Sequence, residues 1–344
     1  MLMSIFMVEC NLNILFSCAG RRKYLIDYFK AEPLFNGRLI GTDMSRTAPA
    51  LAACDAWYEV PSIYDESYLD TVLDICKKEA VTALISLNDM ELPILAANEK
   101  RFSDIGVRLV LAESAAIELC SDKWATVQFG LEHNIPVPAS YLTVDSALTA
   151  IANHEVSYPL IVKPRWGSAS FGLYVINADH ELAEAFSTCK SEFLASHLAK
   201  FAGSDDLVLI QEFIVGDEYG VDIFNDMQGK YHGVVCKKKL SMRSGETDKA
   251  VTVNDAPFSY YAQQIATNLK HKGNLDCDFL ERDNKMYLLE LNPRFGGGYP
   301  FTHEAGGNFV KALLLSLLGR DNEIAINYRV GETFAKCDTL VAAR

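Results

Sequence analysis

Apolar residues recur along this chain at two spacings, a helical one and a strict alternation, and the switch between them divides it into elements. Residues 13–20 form a short apolar run ending at glycine. Residues 21–30 carry Tyr24, Leu25, Tyr28 and Phe29 at helical spacing, and residues 38–43 form a second apolar run. Strand, helix, strand in that order predicts a parallel βαβ unit. Residues 68–78 and 91–102 read as further helices, and 83–87 and 107–111 as further strands, so residues 1–120 are expected to form one α/β domain. After a helix opening at residues 121–126, strands follow at 158–164, 173–176 and 207–214, and a further strand starts within 215–222. Residues 308–318 have the pattern of an amphipathic closing helix that ends at Gly319.

Polar residues break this pattern most sharply in two runs, 275–280 and 285–295. Asp276 and Asp278 share one face of the first under the two-residue strand period, and Glu290 and Asn292 share one face of the second. The runs read as a hairpin. A three-residue loop, Asp283-Asn284-Lys285, would set Asp278 opposite Glu290 and Asp276 opposite Asn292. Facing carboxylates repel. A hard divalent cation removes that repulsion, and carboxylates with an amide oxygen are a ligand set that Mg²⁺ accepts alongside phosphate oxygens. The alternative is a solvated face with its charges in water. The segment that follows, Pro293-Arg294 and the run Gly296-Gly297-Gly298, favours a ligand site, because glycine lets backbone come close to a ligand.

At 344 residues the chain has material for two or three domains, and a net charge of -13 argues against a nucleic-acid surface. Nine cysteines without a Cys-x-x-Cys pair suggest reduced cytosolic thiols and neither a disulfide framework nor a zinc site. The apolar start lacks a basic flank and is not expected to be a signal peptide, and no run is long enough for a membrane helix. A soluble, cytoplasmic protein is expected.

Against this acidic background, individual cations stand out. Lys163 sits in an apolar strand before the small-residue loop 166–172, whose amides could fold around phosphate oxygens. Lys123 falls in the first turn of a helix, where a bound anion or simple exposure would account for it. Residues 237–243 are a basic block that could grip an anion or form a solvated loop, and Gln211-Glu212 ends a strand near a turn. A dinucleotide dehydrogenase with Asp43 on the ribose is a weaker reading, because the first loop has one glycine where that fingerprint needs three.

Taken in order, Ser121-Asp122-Lys123, Ile135-Pro136-Val137-Pro138, residues 161–165 with their glycine/serine loop, Gln211-Glu212-Phe213-Ile214 and residues 289–294 resemble the ATP-grasp superfamily. The resemblance is greatest to its single-module members, which look like one half of the carbamoyl-phosphate synthase large subunit. It implies an α/β fold with a Rossmann-like pre-ATP-grasp domain at 1–120, an α+β lid subdomain at 121–210, and a catalytic subdomain with a C-terminal helix at 211–344. It also implies ATP and Mg²⁺, with Mn²⁺ as an alternative ion.

By the same resemblance, Lys123 and Lys163 would contact phosphates under a lid containing Gly167, Ser168, Ser170 and Gly172. Glu212, Phe213 and Ile214 would hold adenine, and Glu218 the ribose. Asp278, Glu290 and Asn292 would hold the metal, and Arg294 with Lys163 would serve the chemistry. The implied activity is ATP-dependent carboxylate–amine ligation through an acyl phosphate, with release of ADP and phosphate and an amino acid on one side. A thiol acceptor, a phosphorylated product or a nucleotide-binding protein without turnover are the alternatives. Substrate contacts are expected among Gly20-Arg21-Arg22, residues 88–91, Arg243 and residues 296–304, including Gly297. The partners would be small-molecule carboxylates and amines, without nucleic acid or membrane, and a homodimer is compatible with all of this.

Overall fold

Three sheets organise the computed structural model, which describes residues 11–167 and 171–342. The first contains β1 (Ile14–Ser17), β2 (Leu39–Asp43), β3 (Ala56–Glu59), β4 (Ala83–Ser86) and β5 (Arg108–Leu109), all parallel, in the order β3-β2-β1-β4-β5. The expected βαβ unit is present, with helix Lys23–Ala31 between β1 and β2. Edge strand β3 is an addition to the expected set, and its half-exposed residues show no clean alternation. The helix expected over 91–102 is two short helices, Leu92–Ala96 and Glu99–Ser103. Asn98 lies between them and donates its side-chain amide to the Ile94 carbonyl at 2.9 Å, a local bond that competes with helix propagation.

The second sheet is antiparallel and contains β6 (Ser140–Tyr141), β7 (Leu160–Pro164), β8 (Tyr174–Ile176) and β9 (Val208–Glu212). Helices Val144–Ala152 and Asp179–Ala195 cover it, and together they enclose a separate core around Leu160, Val162, Leu182 and Phe193. The third sheet contains β10 (Asp217–Asn225), β11 (Tyr231–Arg243), β12 (Glu246–Val253), β13 (Gly273–Arg282), β14 (Lys285–Asn292) and β15 (Thr333–Ala335), in the order β14-β13-β10-β11-β12-β15. One apolar cluster runs from Leu15, Ile40 and Leu84 of the parallel sheet to Val221, Cys277 and Phe279 of this one. The two sheets are therefore held as one body, each such side chain contributing roughly 1.5–3 kcal/mol on burial.

The β13–β14 hairpin corrects the expected loop. Arg282 pairs with Lys285, so the turn is the two residues Asp283-Asn284, both at positive φ (55° and 60°), as a primed turn requires. A two-residue turn alone would slip the register by one. An irregularity between Asp278 and Phe279 absorbs the slip, because Phe279 pairs with Leu288, Asp278 pairs with Glu290, and Leu289 is the extra residue. Asp276 then faces Asn292, as expected. The bulge lets Leu288 and Leu291, an odd number of residues apart, both enter the core while Glu290 and Asn292 turn to the opposite face. The described cysteines are free thiols, and no helix among the described residues is long and apolar enough to cross a membrane.

Candidate active site

All three sheets contribute to one cavity of about 660 Å³. From the parallel sheet come Arg22 and Asp89, just beyond the carboxyl ends of the adjacent strands β1 and β4. The chain leaves these two strands toward opposite edges of the sheet, which makes their crevice the place where open parallel sheets bind ligands. Asp43 does not reach it. Its carboxylate accepts from the Gly20 and Ser45 amides, both at 2.8 Å, and so closes its own loop, which removes the ribose role from that residue.

The helix after the parallel sheet and the second sheet each supply a lysine. Helix Lys123–Glu132 is capped by Asp122, which accepts from the Trp124 amide at 3.0 Å and pairs with Arg165. That cap directs Lys123 into the cavity, where its Nζ donates to the Gly167 carbonyl and lies 3.7 Å from Glu290 Oε1. Lys163 on β7 is buried and donates to Gln211 Oε1 at 2.7 Å, with no carboxylate in ion-pair range among the described residues. Burial, reinforced by Lys123, brings its ammonium down to about 7. Gly167 lines the cavity, whereas Gly172 turns against the Pro164 ring, and Ser168 and Ser170 lie outside the described residues.

Opposite these lysines, β13 and β14 present Asp276, Asp278, Glu290 and Asn292 to the same space. Asp278 is pushed up to about 7 by burial and by the carboxylates of Asp276 and Glu290, an effect that Lys239 offsets only in part. Burial and the neighbouring carboxylates outweigh the one ammonium beside it, and two carboxylates with an amide oxygen suit a hard divalent ion. Among the described residues no three His, Cys, Asp or Glu side chains group closely enough to hold an ion alone. The set Asp278, Glu290 and Asn292 therefore fits an ion whose remaining positions are filled by phosphate oxygens or water.

Arg294 is clamped. It bonds Asp89 at 2.8 Å and Asp276 at 3.3 Å, while its Nε and the second oxygen of Asp89 are buried without a partner among the described residues. These unpaired atoms are polar capacity that a bound group can use.

The basic block is β-strand. Lys237, Lys238 and Lys239 alternate with the strand period: Lys237 is fully buried on Asp222 at 2.6 Å, Lys238 pairs with Asp217 outside, and Lys239 enters the cavity. Lys239 bridges Glu218 at 2.6 Å and Asp278 at 2.7 Å, so the residue expected at the ribose and a residue expected at the metal share one cation. The sequence offers Lys239 only within the basic block 237–243 and Asp89 only within the stretch 88–91, and gives Glu246 no role of its own, although the period of two would put Lys237 and Lys239 on one face.

Several expected residues lie off this cavity. Glu212 pairs with Arg282 at 2.5 Å and accepts from the Ala139 amide at 3.3 Å, and neither it nor Phe213 nor Ile214 is among the lining residues. Arg243 lies on a second cavity, paired with Asp248 and Asp338, and Arg21 lines that same cavity. Gly297 does line the first cavity. The glycine run makes room for side chains: a Cβ on Gly296 would sit 2.0 Å from an Asp276 oxygen, and one on Gly297 would sit 2.8 Å from the Glu246 carboxyl carbon.

Comparison with known proteins matches an ATP-grasp domain over residues 120–298 and a PylC-like N-terminal domain over residues 14–110. Among solved structures the chain is similar to pyruvate carboxylase from Rhizobium etli, with a TM-score of 0.71 and 19% identity. That match covers 94% of this chain and 30% of the carboxylase, so the chain spans less than a third of that protein. It is similar to the biotin carboxylase domain of 2-oxoglutarate carboxylase from Hydrogenobacter thermophilus in complex with MgADP (TM-score 0.71, 15% identity, 93% of this chain and 73% of that one). It is also similar to L-amino acid ligase from Bacillus licheniformis (TM-score 0.65, 21% identity, 89% of this chain and 75% of that one).

Proposed function

The chain belongs to the ATP-grasp family, and on that premise we propose that it joins a carboxylate to an amine through an acyl phosphate, releasing ADP and phosphate, with an amino acid as one substrate. The observation that carries this reading is the convergence of Lys123, Lys163, Asp278, Glu290, Asn292 and Arg294 on one cavity. The MgADP bound to the Hydrogenobacter neighbour supports the nucleotide, and the likeness to an L-amino acid ligase from Bacillus supports the amino acid.

A carboxylate reaches the γ-phosphate of ATP only if the repulsion between the two anions is neutralised. Lys123 and Lys163 border the cavity on one side and would bind the phosphates. Asp278, Glu290 and Asn292 would hold Mg²⁺, which when bound supplies charge neutralisation on the phosphate oxygens. Arg294, fixed by Asp89 and Asp276, would meet the charge that develops on the transferring group without having to reorganise. A donor carboxylate oxygen attacks the γ-phosphorus, the bond to the bridging oxygen breaks, and ADP leaves. The amine nitrogen then attacks the acyl carbon, a C–N bond forms, the C–O bond breaks, and phosphate departs with the electron pair and the amine's proton passes to solvent. Gly167 and Trp166 line the cavity, and closure over it would keep water from the acyl phosphate.

A screen for ADP release over amino acids paired with small carboxylates, with mass spectrometry of the products, tests the proposal. It predicts ADP formation matched by a new amide. ADP release without any amide product, or no release across the panel, would contradict it.

A further inference from the structure

The second cavity, of about 940 Å³, lies between helix Lys23–Ala31, the helix Tyr299–Glu304, the β11–β12 turn and the segment following β15. It adjoins the first. Ser244, Glu246 and Thr247 line both cavities, so the β11–β12 turn is the partition between them. Tyr24, Tyr28, Phe301 and Phe334 give the second cavity an aromatic wall.

Its charged groups are mostly paired with each other. Arg243 is held by Asp248 at 3.0 Å and by Asp338 at 2.8 Å, and Lys23 is held by Asp27 at 2.6 Å. Arg21 is different, because it lines the cavity with no ion-pair partner among the described residues. Glu246 is the carboxylate on the partition. Lys336, one residue past β15, reaches it at 3.2 Å with its ammonium 6.0 Å from the Phe301 ring. An ammonium between a carboxylate and an aromatic face is a recognition geometry for a cationic ligand. Burial alone would raise the Glu246 carboxyl, yet Lys336, Arg22 and Arg21 together hold it below the usual range, so it stays an anion facing three cations. The absence of a side chain at Gly297 is what lets that carboxylate lie against the backbone at the edge of the first cavity.

We propose that the amine substrate is an amino acid that enters through the second cavity, with its ammonium displacing Lys336 from Glu246 and its carboxylate meeting Arg21. Lys336 occupies the substrate's place when the site is empty and competes with it. The inference rests on the ligase reading above and adds where the amine binds and what recognises it. Bound on the partition, the nitrogen stands at the edge of the space that Arg294 and the acidic set enclose, and the ammonium gives one proton to solvent before the neutral amine attacks the acyl carbon.

The test uses the full chain with Mg²⁺ and ADP, titrated with the common L-amino acids and with the amines obtained by removing their carboxyl groups, and read as thermal stabilisation. Lys336→Met is expected to tighten the amino acid several-fold, and Glu246→Gln to weaken it at least roughly tenfold, the loss of one charge-assisted pair. Glu246→Asp, which keeps the charge, should restore part of the affinity and controls for misfolding. Arg21→Met should reduce the amino acid to the level of its decarboxylated amine. An ion pair that merely fastens β15 would lower stability in both the Lys336 and Glu246 variants without moving affinity in opposite directions. Shifts of the same sign, or no stabilisation of the wild type and Lys336→Met by any amino acid, overturn the proposal. ADP release measured in parallel separates the two readings. Amide-forming turnover with unchanged amino-acid affinity in Glu246→Gln sinks this inference alone, whereas opposed affinity shifts without ADP formation sink the ligase reading and overturn the amino acid's role as amine substrate, leaving only an amino-acid binding site.

Discussion

Lys163 shows how a single residue records what a site is built to bind. A buried ammonium without a carboxylate partner is a cost to the empty protein, and a fall from an ordinary lysine value to about 7 corresponds to ~5 kcal/mol at most. The folded state releases this proton more readily than the unfolded state does. Stability therefore rises with pH from about 7 toward the unfolded lysine value, and the full cost is present below that window. Phosphate oxygens would reverse the shift, so nucleotide binding should take up a proton and weaken as pH rises above 7. Titration calorimetry in buffers of different ionisation enthalpy reads that uptake directly. Lys163→Met should raise the melting temperature of the empty protein and abolish the proton uptake. A variant that is less stable, or that binds nucleotide with the same pH dependence, would show that the lysine has a purely structural role. That Lys163 would face a cavity was legible from an isolated cation in an apolar strand, but its partner Gln211 was not, because their meeting depends on the β7–β9 register, which pairs Ile161 with Gln211.

At the scale of elements, the β13–β14 hairpin was legible in its outcome and not in its construction. The facing of Asp278 and Glu290 was expected from a three-residue loop, and it arises instead from a two-residue turn compensated by the Leu289 bulge. The signal that was available is the spacing of Leu288 and Leu291: a strict alternation cannot bury both, yet both are in the core. Deleting Leu289 tests this directly. The ladder would become regular with Glu290 still opposite Asp278 and Asn292 still opposite Asp276, so the variant should keep magnesium-dependent nucleotide binding and lose no more than roughly 0.5–3 kcal/mol of stability. Denaturant titration and nucleotide binding on the same preparation would check both outcomes. Loss of the metal dependence would mean that the extra residue itself, and not the register it restores, sets the site. The long β11–β12 pair was missed for a different reason: its three consecutive lysines mask the period of two when charge alone is read, although burial separates Lys237 at 0% exposure from Lys238 outside.

For the whole molecule, the parallel sheet reaches into the chemistry of the antiparallel one. Asp89 follows β4 and bonds Arg294 beyond β14, and one core unites the two sheets, so the N-terminal unit positions a residue of the site. Asp89→Ala should lower turnover roughly 10²-fold through a misplaced guanidinium while leaving nucleotide affinity nearly intact. Steady-state kinetics beside nucleotide titration distinguishes that split from a general loss of fold. Sequence order alone was enough to place most of these groups on one fold, whereas the contact between Asp89 and Arg294, and the sharing of Lys239 by Glu218 and Asp278, arise only when strands distant in sequence are brought together. For the same reason Arg243, adjacent to the site in sequence, turns away to Asp248 and Asp338.

The proposed chemistry depends on Asp278, Glu290 and Asn292 holding a cation that carries the triphosphate. It is tested most directly by titrating ATP into the wild type and Glu290→Gln with and without Mg²⁺. Mg²⁺ should tighten ATP at least roughly tenfold in the wild type and have little effect in Glu290→Gln, the loss expected when one carboxylate ligand becomes an amide. The same magnesium dependence in both proteins would contradict it.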